Sequence, residues 1–193
     1  MIDQALTVIS QEINQHLKLR FNLNEDKVVL STLVDQDGKV AIQDENKVVC
    51  TLIDLSEEST IKNTRGYREV NTGEFSRKSN LYLNLYILFA SYFTSQNYTD
   101  SLKYLSEVIS FFHAKPVLDK ANSPSMSTTP LDKLKVEIHH QDANSKNNLW
   151  STLGAKYLPS IAYKVSLVMI TDNTMKAPID GVRAVDLDKS KRF

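Results

Sequence analysis

The stretch Asn80-Leu-Tyr-Leu-Asn-Leu-Tyr-Ile-Leu-Phe-Ala90 decides the fold. In an extended chain, Leu81, Leu83, Leu85, Ile87 and Phe89 point to one side, and Tyr82, Tyr86, Leu88 and Ala90 to the other. A strand that is apolar on both sides is covered from above and below, so this one is central to a sheet. It is not a membrane span, because the longest apolar run, Leu85 to Phe93, is interrupted by Ser91 and falls far short of ~18 residues.

Working outward, the residues just downstream change period. Leu102, Leu105, Val108, Ile109 and Phe112 recur at helical spacing within Tyr98 to Ala114. Thr99 or Asp100 can cap this helix and Pro116 stops it. Upstream, Lys27 to Val34 and Lys47 to Leu55 are rich in β-branched residues and leucine, with Asp35-Gln-Asp-Gly38 supplying turn chemistry between them. They read as two strands, a hairpin with a long, partly structured return. The opening residues 2–19 set Ile2, Ala5, Leu6, Ile9, Ile13 and Leu17 on one helical stripe, an amphipathic helix that packs on a sheet.

Beyond Pro116 the alternation returns. Ser123 to Pro130 is a short low-complexity loop. Lys133 to His140 reads as a half-exposed strand, with Leu134, Val136 and Ile138 facing in. Asp142 or Asn144 can cap a short helix that runs to Leu153 and is closed by Gly154. The last strong strand is Ile161 to Thr171. The fold class expected is α/β (α+β), a mixed β-sheet flanked by helices. Residues 1–171 form one domain in this reading. Residues 56–79, polar and charged, are expected to be a long mobile loop, and 172–193 a C-terminal tail and possible contact arm.

Composition narrows the function classes. The chain has 193 residues, 41% hydrophobic, enough for a real core. Lys plus Arg is 23 and Asp plus Glu is 23, so the formal net charge is zero, which argues against a nucleic-acid binder. One cysteine excludes an internal disulfide framework and a Cys-rich zinc site. Five glycines leave no dinucleotide fingerprint or phosphate loop. The N-terminus lacks the basic start and apolar run of a secretory signal, so assembly in the cytoplasm is expected, with no membrane partner.

Few groups suggest chemistry. His139 and His140 are adjacent on a strand and point to opposite faces, so they cannot share one metal ion. Cys50 lies in an apolar strand, as a small buried hydrophobe rather than a nucleophile. Trp150 is the single tryptophan, a core anchor by default and an interface anchor as the alternative. No cofactor, metal site or catalytic residue is nominated, and catalysis is not expected.

Two segments carry a family likeness. Asn80 to Ala90 followed by Tyr98-x5-Tyr104-Leu105-x3-Ile109-Ser-Phe-Phe112 is the first. The second is Asn148-Leu-Trp150-Ser-Thr-Leu-Gly-Ala-Lys-Tyr-Leu-Pro-Ser160, followed by Tyr163-Lys-Val165. With the opening Met1-Ile-x-Gln-Ala-Leu6, they resemble the tail-terminator (cap) family of extracellular contractile injection systems, of the Photorhabdus virulence cassette and antifeeding prophage type. The resemblance implies a phage tail-terminator-like fold and a homohexameric ring that ends tube polymerisation and holds the top of the sheath. The implied partners are copies of this chain, the inner-tube protein and the sheath protein. Candidate contact residues are Arg65, Arg68, Arg77 and Lys78 in the polar stretch, Trp150, Lys156 and Tyr157 in the second segment, and Val182, Val185 and Leu187 in the tail. A non-catalytic adaptor between the tube and another particle component is the nearest rival, and an enzyme with an unrecognised site the more distant one.

Overall fold

The structure, a computed structural model, describes residues 1–42, 44–58 and 80–171. The elements are α1 (Ile2–Phe21), β1 (Val28–Leu30), β2 (Lys47–Glu57), β3 (Asn80–Tyr92), α2 (Tyr98–Ala114), β4 (Val117–Asp119), β5 (Lys133–Ile138), α3 (Ala143–Leu153) and β6 (Ser160–Thr171). The strands form one sheet in the order β1-β2-β3-β6-β5-β4. β1 and β2 run parallel, and every other neighbouring pair is antiparallel. The expected mixed sheet flanked by helices is the fold observed.

β3 is central, as its two apolar faces require. Leu85, Ile87 and Phe89 are fully buried in a core built with α1 and α2, while Leu88 and Ala90 are buried against α3 on the opposite face. Each of these leucine, isoleucine and phenylalanine side chains contributes about 1.5–3 kcal/mol on leaving water, and Ala90 less. The register stacks like on like: Phe89 lies between Cys50 and Ile161, and Leu85 lies beside Val165. α1 and α2 lie antiparallel on one face, as shown by Glu12 meeting Lys115 at one end and Phe21 meeting Tyr104 at the other.

Several expectations are corrected. Val28 to Leu30 pairs parallel with Val48 to Cys50, so the two early strands are not a hairpin. The Asp35–Gly38 turn is real, with Gly38 at φ 75°, but it closes only the local Val34–Val40 bridge. The intervening chain is held back because Leu33 is buried beside Trp150 on the α3 face, which forces a crossover. β2 continues through Glu57, so Ser56 and Glu57 belong to a strand; residues 59–79 of the expected loop lie outside the described residues, as does the tail from 172.

α2 begins one residue before the proposed caps. Asn97 occupies the cap position, but its amide donates to Asn46 Oδ1 at 3.1 Å instead of capping the helix. Leu102, Ile109 and Ile138, expected to face inward, are exposed. The buried stripe of α2 is centred on Ser101, Leu105, Val108 and Phe112, which leaves Leu102 and Ile109 on its shoulder. Ile138 ends β5 past the three residues that β4 pairs with, and is 63% exposed. β4 itself, three residues long, is below what alternation reveals.

One buried ion pair ties α1 to the rest. Glu12, 5% exposed, accepts from Lys115 Nζ at 2.9 Å just past the end of α2, and from the Ser125 hydroxyl and N–H in the turn after β4. Burial alone raises this carboxyl, but the hydrogen bonds from Ser125 and Lys115 and the lysine charge outweigh it, so it titrates below its usual value near 4.5. A depressed folded-state value gives stability that is present above pH 4.5 and lost as pH falls through the folded value. Glu12→Gln should therefore cost about 2–3 kcal/mol at pH 7. In urea unfolding across pH, the gap to the parent chain should narrow steadily below pH ~4.5.

Candidate functional site

The second family-like segment folds into a helix, a tight exit and a strand entry. Asp142 caps α3 by accepting the Ser145 N–H at 2.8 Å, and hydrogen bonding from the Ser145 side chain and then its N–H lowers the Asp142 carboxyl. Gly154 ends it in the left-handed region at φ 65°, where a side chain is strained, with its N–H on Ser151 C=O. Ala155 N–H reaches Trp150 C=O at 3.4 Å, and Pro159 C=O accepts Ser91 N–H at 2.9 Å, delivering the chain into β6.

Trp150 is 7% exposed and packs with Leu33, Val49, Leu88, Ala90 and Ala162. It anchors α3 to the sheet. Its ring meets Tyr157 edge to face, with centroids 5.6 Å apart. Tyr157 is 68% exposed and Lys156 is also exposed, so the exit turn offers an aromatic ring and a cation to solvent on a rigid base. Arg65, Arg68, Arg77, Lys78, Val182, Val185 and Leu187 lie outside the described residues.

An apolar surface runs along α2 and includes Leu102 and Ile109, which periodicity assigns to the core. Tyr98, Leu102 and Ile109 lie along one side of α2 and are exposed. Spacing of i, i+4 and i+11 could have flagged them as a separate stripe, but the buried and exposed stripes adjoin and read as one.

The described residues hold little that could do chemistry. Burial pushes the Cys50 thiol up to about 12, which keeps it protonated and unreactive. Burial likewise pushes the Tyr163 phenol up to about 12. His139 meets Tyr86 edge to face, with centroids 4.8 Å apart. Among the described residues, no three His, Cys, Asp or Glu side chains are grouped to hold a metal ion, and no helix is long and apolar enough to cross a membrane. A groove of about 370 Å³ between α1 and the following turn is lined by Gln11, Asn14, Gln15, Lys18, Leu19 and Asp26, with Lys18 and Asp26 paired to each other at 2.8 Å.

The sheet and its helices form a fold shared with two solved structures of contractile injection particles. The chain is similar to the sheath/tube terminator of the PVC extracellular contractile injection system in its extended state, with 17% identity and a TM-score of 0.53 over 96% of this chain and 64% of that one. It is similar to the tube-terminating cap of the anti-feeding prophage, with 16% identity and a TM-score of 0.53 over 91% of this chain and 59% of that one. This chain therefore spans about three fifths of the length of those proteins. The family model described as the Pvc16 N-terminal domain matches residues 4–181, and the chain belongs to that family. A search of curated protein sequences gives no match.

Trp150 and Tyr157 separate packing from display. Trp150→Ala should cost about 3–5 kcal/mol in denaturant unfolding, as a large buried side chain does. Tyr157→Ala should cost about 1 kcal/mol or less, the worth of one edge contact, and leave the melting transition nearly unchanged.

Proposed function

We propose that this chain is a structural cap of a contractile phage-tail-like injection particle. It forms a homohexameric ring on the last layer of the tube, ends tube polymerisation and anchors the top of the sheath. The observation that carries this reading is the match of residues 4–181 to the Pvc16 N-terminal domain family, supported by fold likeness to a sheath/tube terminator and a tube-terminating cap. The role is mechanical and non-enzymatic, with no cofactor. The subunit is made in the cytoplasm and becomes part of a particle.

Physical features favour such a part. A ring interface is heterologous, one patch meeting a different patch on the neighbour, and its closure halts growth. That requires separate surfaces on a rigid body, and this subunit carries at least two: the exit turn with Lys156 and Tyr157, and the apolar side of α2 with Tyr98, Leu102 and Ile109. Residues 1–171 act as one body in this reading. Arg65, Arg68, Arg77 and Lys78 meet acidic surfaces of tube or sheath, and the tail bearing Val182, Val185 and Leu187 is a contact arm. Trp150 supports the turn from beneath.

Deleting the gene from the producing cluster should abolish particles or yield tubes of ragged length with slipping sheaths, seen by electron microscopy. Uniform, fully sheathed particles without the chain would overturn the cap reading and favour the adaptor. Ending the chain after Thr171 should leave the tube capped and weaken sheath attachment. Normal sheath attachment in that variant would remove the tail from the mechanism.

A further inference from the structure

A sheet ends in two outer strands, and their outward peptide groups recruit other strands unless something occupies them. Among the described residues the outer strands are β1 and β4. At β1, Lys27 C=O accepts Val48 N–H and Ser31 N–H reaches Cys50 C=O, so the backbones of Leu30 and Val28 point outward, that of Val28 toward α1. Asn14 of α1 fills that position. Its Nδ2 donates to Val28 C=O at 2.7 Å, and its Oδ1 accepts Val28 N–H at 2.8 Å and Lys27 N–H at 2.9 Å. Exchange of both bonds with one residue is what an antiparallel strand makes at a hydrogen-bonded pair.

β4 is closed by the same chemistry. Pro116 C=O accepts Val136 N–H, so Val117 and Asp119 face away from β5. Asn122, in the turn after β4, donates Nδ2 to Val117 C=O at 2.9 Å and accepts Asp119 N–H on Oδ1 at 3.1 Å. Bonding the C=O of one residue and the N–H two residues on is the pattern of a parallel strand.

β2 runs on past the end of β1, and there the register slips between Leu52 and Asp54. Glu58 N–H binds Tyr82 C=O, which sets Leu55 N–H outward, and Asp54 Oδ1 takes it at 2.8 Å. A bulge with a charged side chain is a further means of blunting an edge.

We infer that side-chain amides block the outer strands of this sheet at Val28 of β1 and at Val117 and Asp119 of β4, so that copies of this chain do not join by strand pairing there and meet through side-chain surfaces instead. Blocking of the edges is independent of the capping role and is testable on the purified chain alone. It concerns which contacts are refused, and a subunit that ends a polymer has particular need of that.

The test uses the full chain with Asn122→Ala, Asn122→Asp and Asn14→Ala. Asn122 is exposed but its Oδ1 also accepts the buried Ser123 hydroxyl at 2.7 Å, so Asn122→Ala should keep the parent circular dichroism and melt a few degrees lower. It should self-associate about tenfold more tightly than the parent in sedimentation velocity, the worth of one or two net hydrogen bonds per contact. In the associated form, hydrogen exchange at the Asp119 amide should slow. Asn122→Asp keeps the acceptor for Asp119 N–H but loses the donor to Val117 C=O, and should fall between the two. Asn14→Ala should associate through Val28 if it folds; if it unfolds, the Asn122 variants carry the decision. Sedimentation of Asn122→Ala identical to the parent at every concentration overturns the inference. So does association without protection at Asp119, or failure of Asn122→Ala to fold, the amide then serving the turn and not the edge.

Discussion

The burial of β3 on both faces is the constraint from which the rest of the structure follows. Leu85, Ile87 and Phe89 need one apolar cover and Leu88 and Ala90 another, so no arrangement with a single layer of helices suffices. α1 and α2 form the first cover. α3 and the chain around Leu33 form the second, with Trp150 at its centre. β2 and β6 must then flank β3 on either side, and each carries its own matching apolar face into register.

Within that frame, polar hubs fix where the connections run. Glu12 joins α1 to Lys115 and Ser125, and Asn46, at φ 64°, accepts the Thr94 N–H at 3.2 Å and the Asn97 amide at 3.1 Å. Each hub satisfies backbone or charge that burial would otherwise leave unpaired, the costly alternative in a low-dielectric interior. They hold loops to a scaffold. Contacts displayed on a surface keep their spacing only if the turns beneath them do not drift.

Of the candidate contact surface, the exit turn was legible because its signals are local. Asp142 as cap and Gly154 as stop are dictated by backbone hydrogen bonding and by the left-handed conformation. The exposed side of α2 was not legible. Leu102 and Ile109 sit at helical spacing with Leu105 and Phe112, and only the width of the sheet contact decides which of them water reaches. Ile138 fails for the same reason, since alternation assigns a face and not whether a neighbouring strand extends far enough to cover it.

By itself the sequence determined the existence and type of the long elements, the central place of β3 and the Gly154 end of α3, while leaving its cap open between Asp142 and Asn144. These rest on periodicity and backbone preference, which act over a few residues. Tertiary structure alone decided that β1 and β2 run parallel, that a three-residue β4 closes the sheet, and that Asn14 and Asn122 take the place of missing strands. Those outcomes depend on partners far apart in the chain or on edge groups whose need appears only once the sheet is assembled. An asparagine's sequence position does not reveal which peptide group its amide will meet.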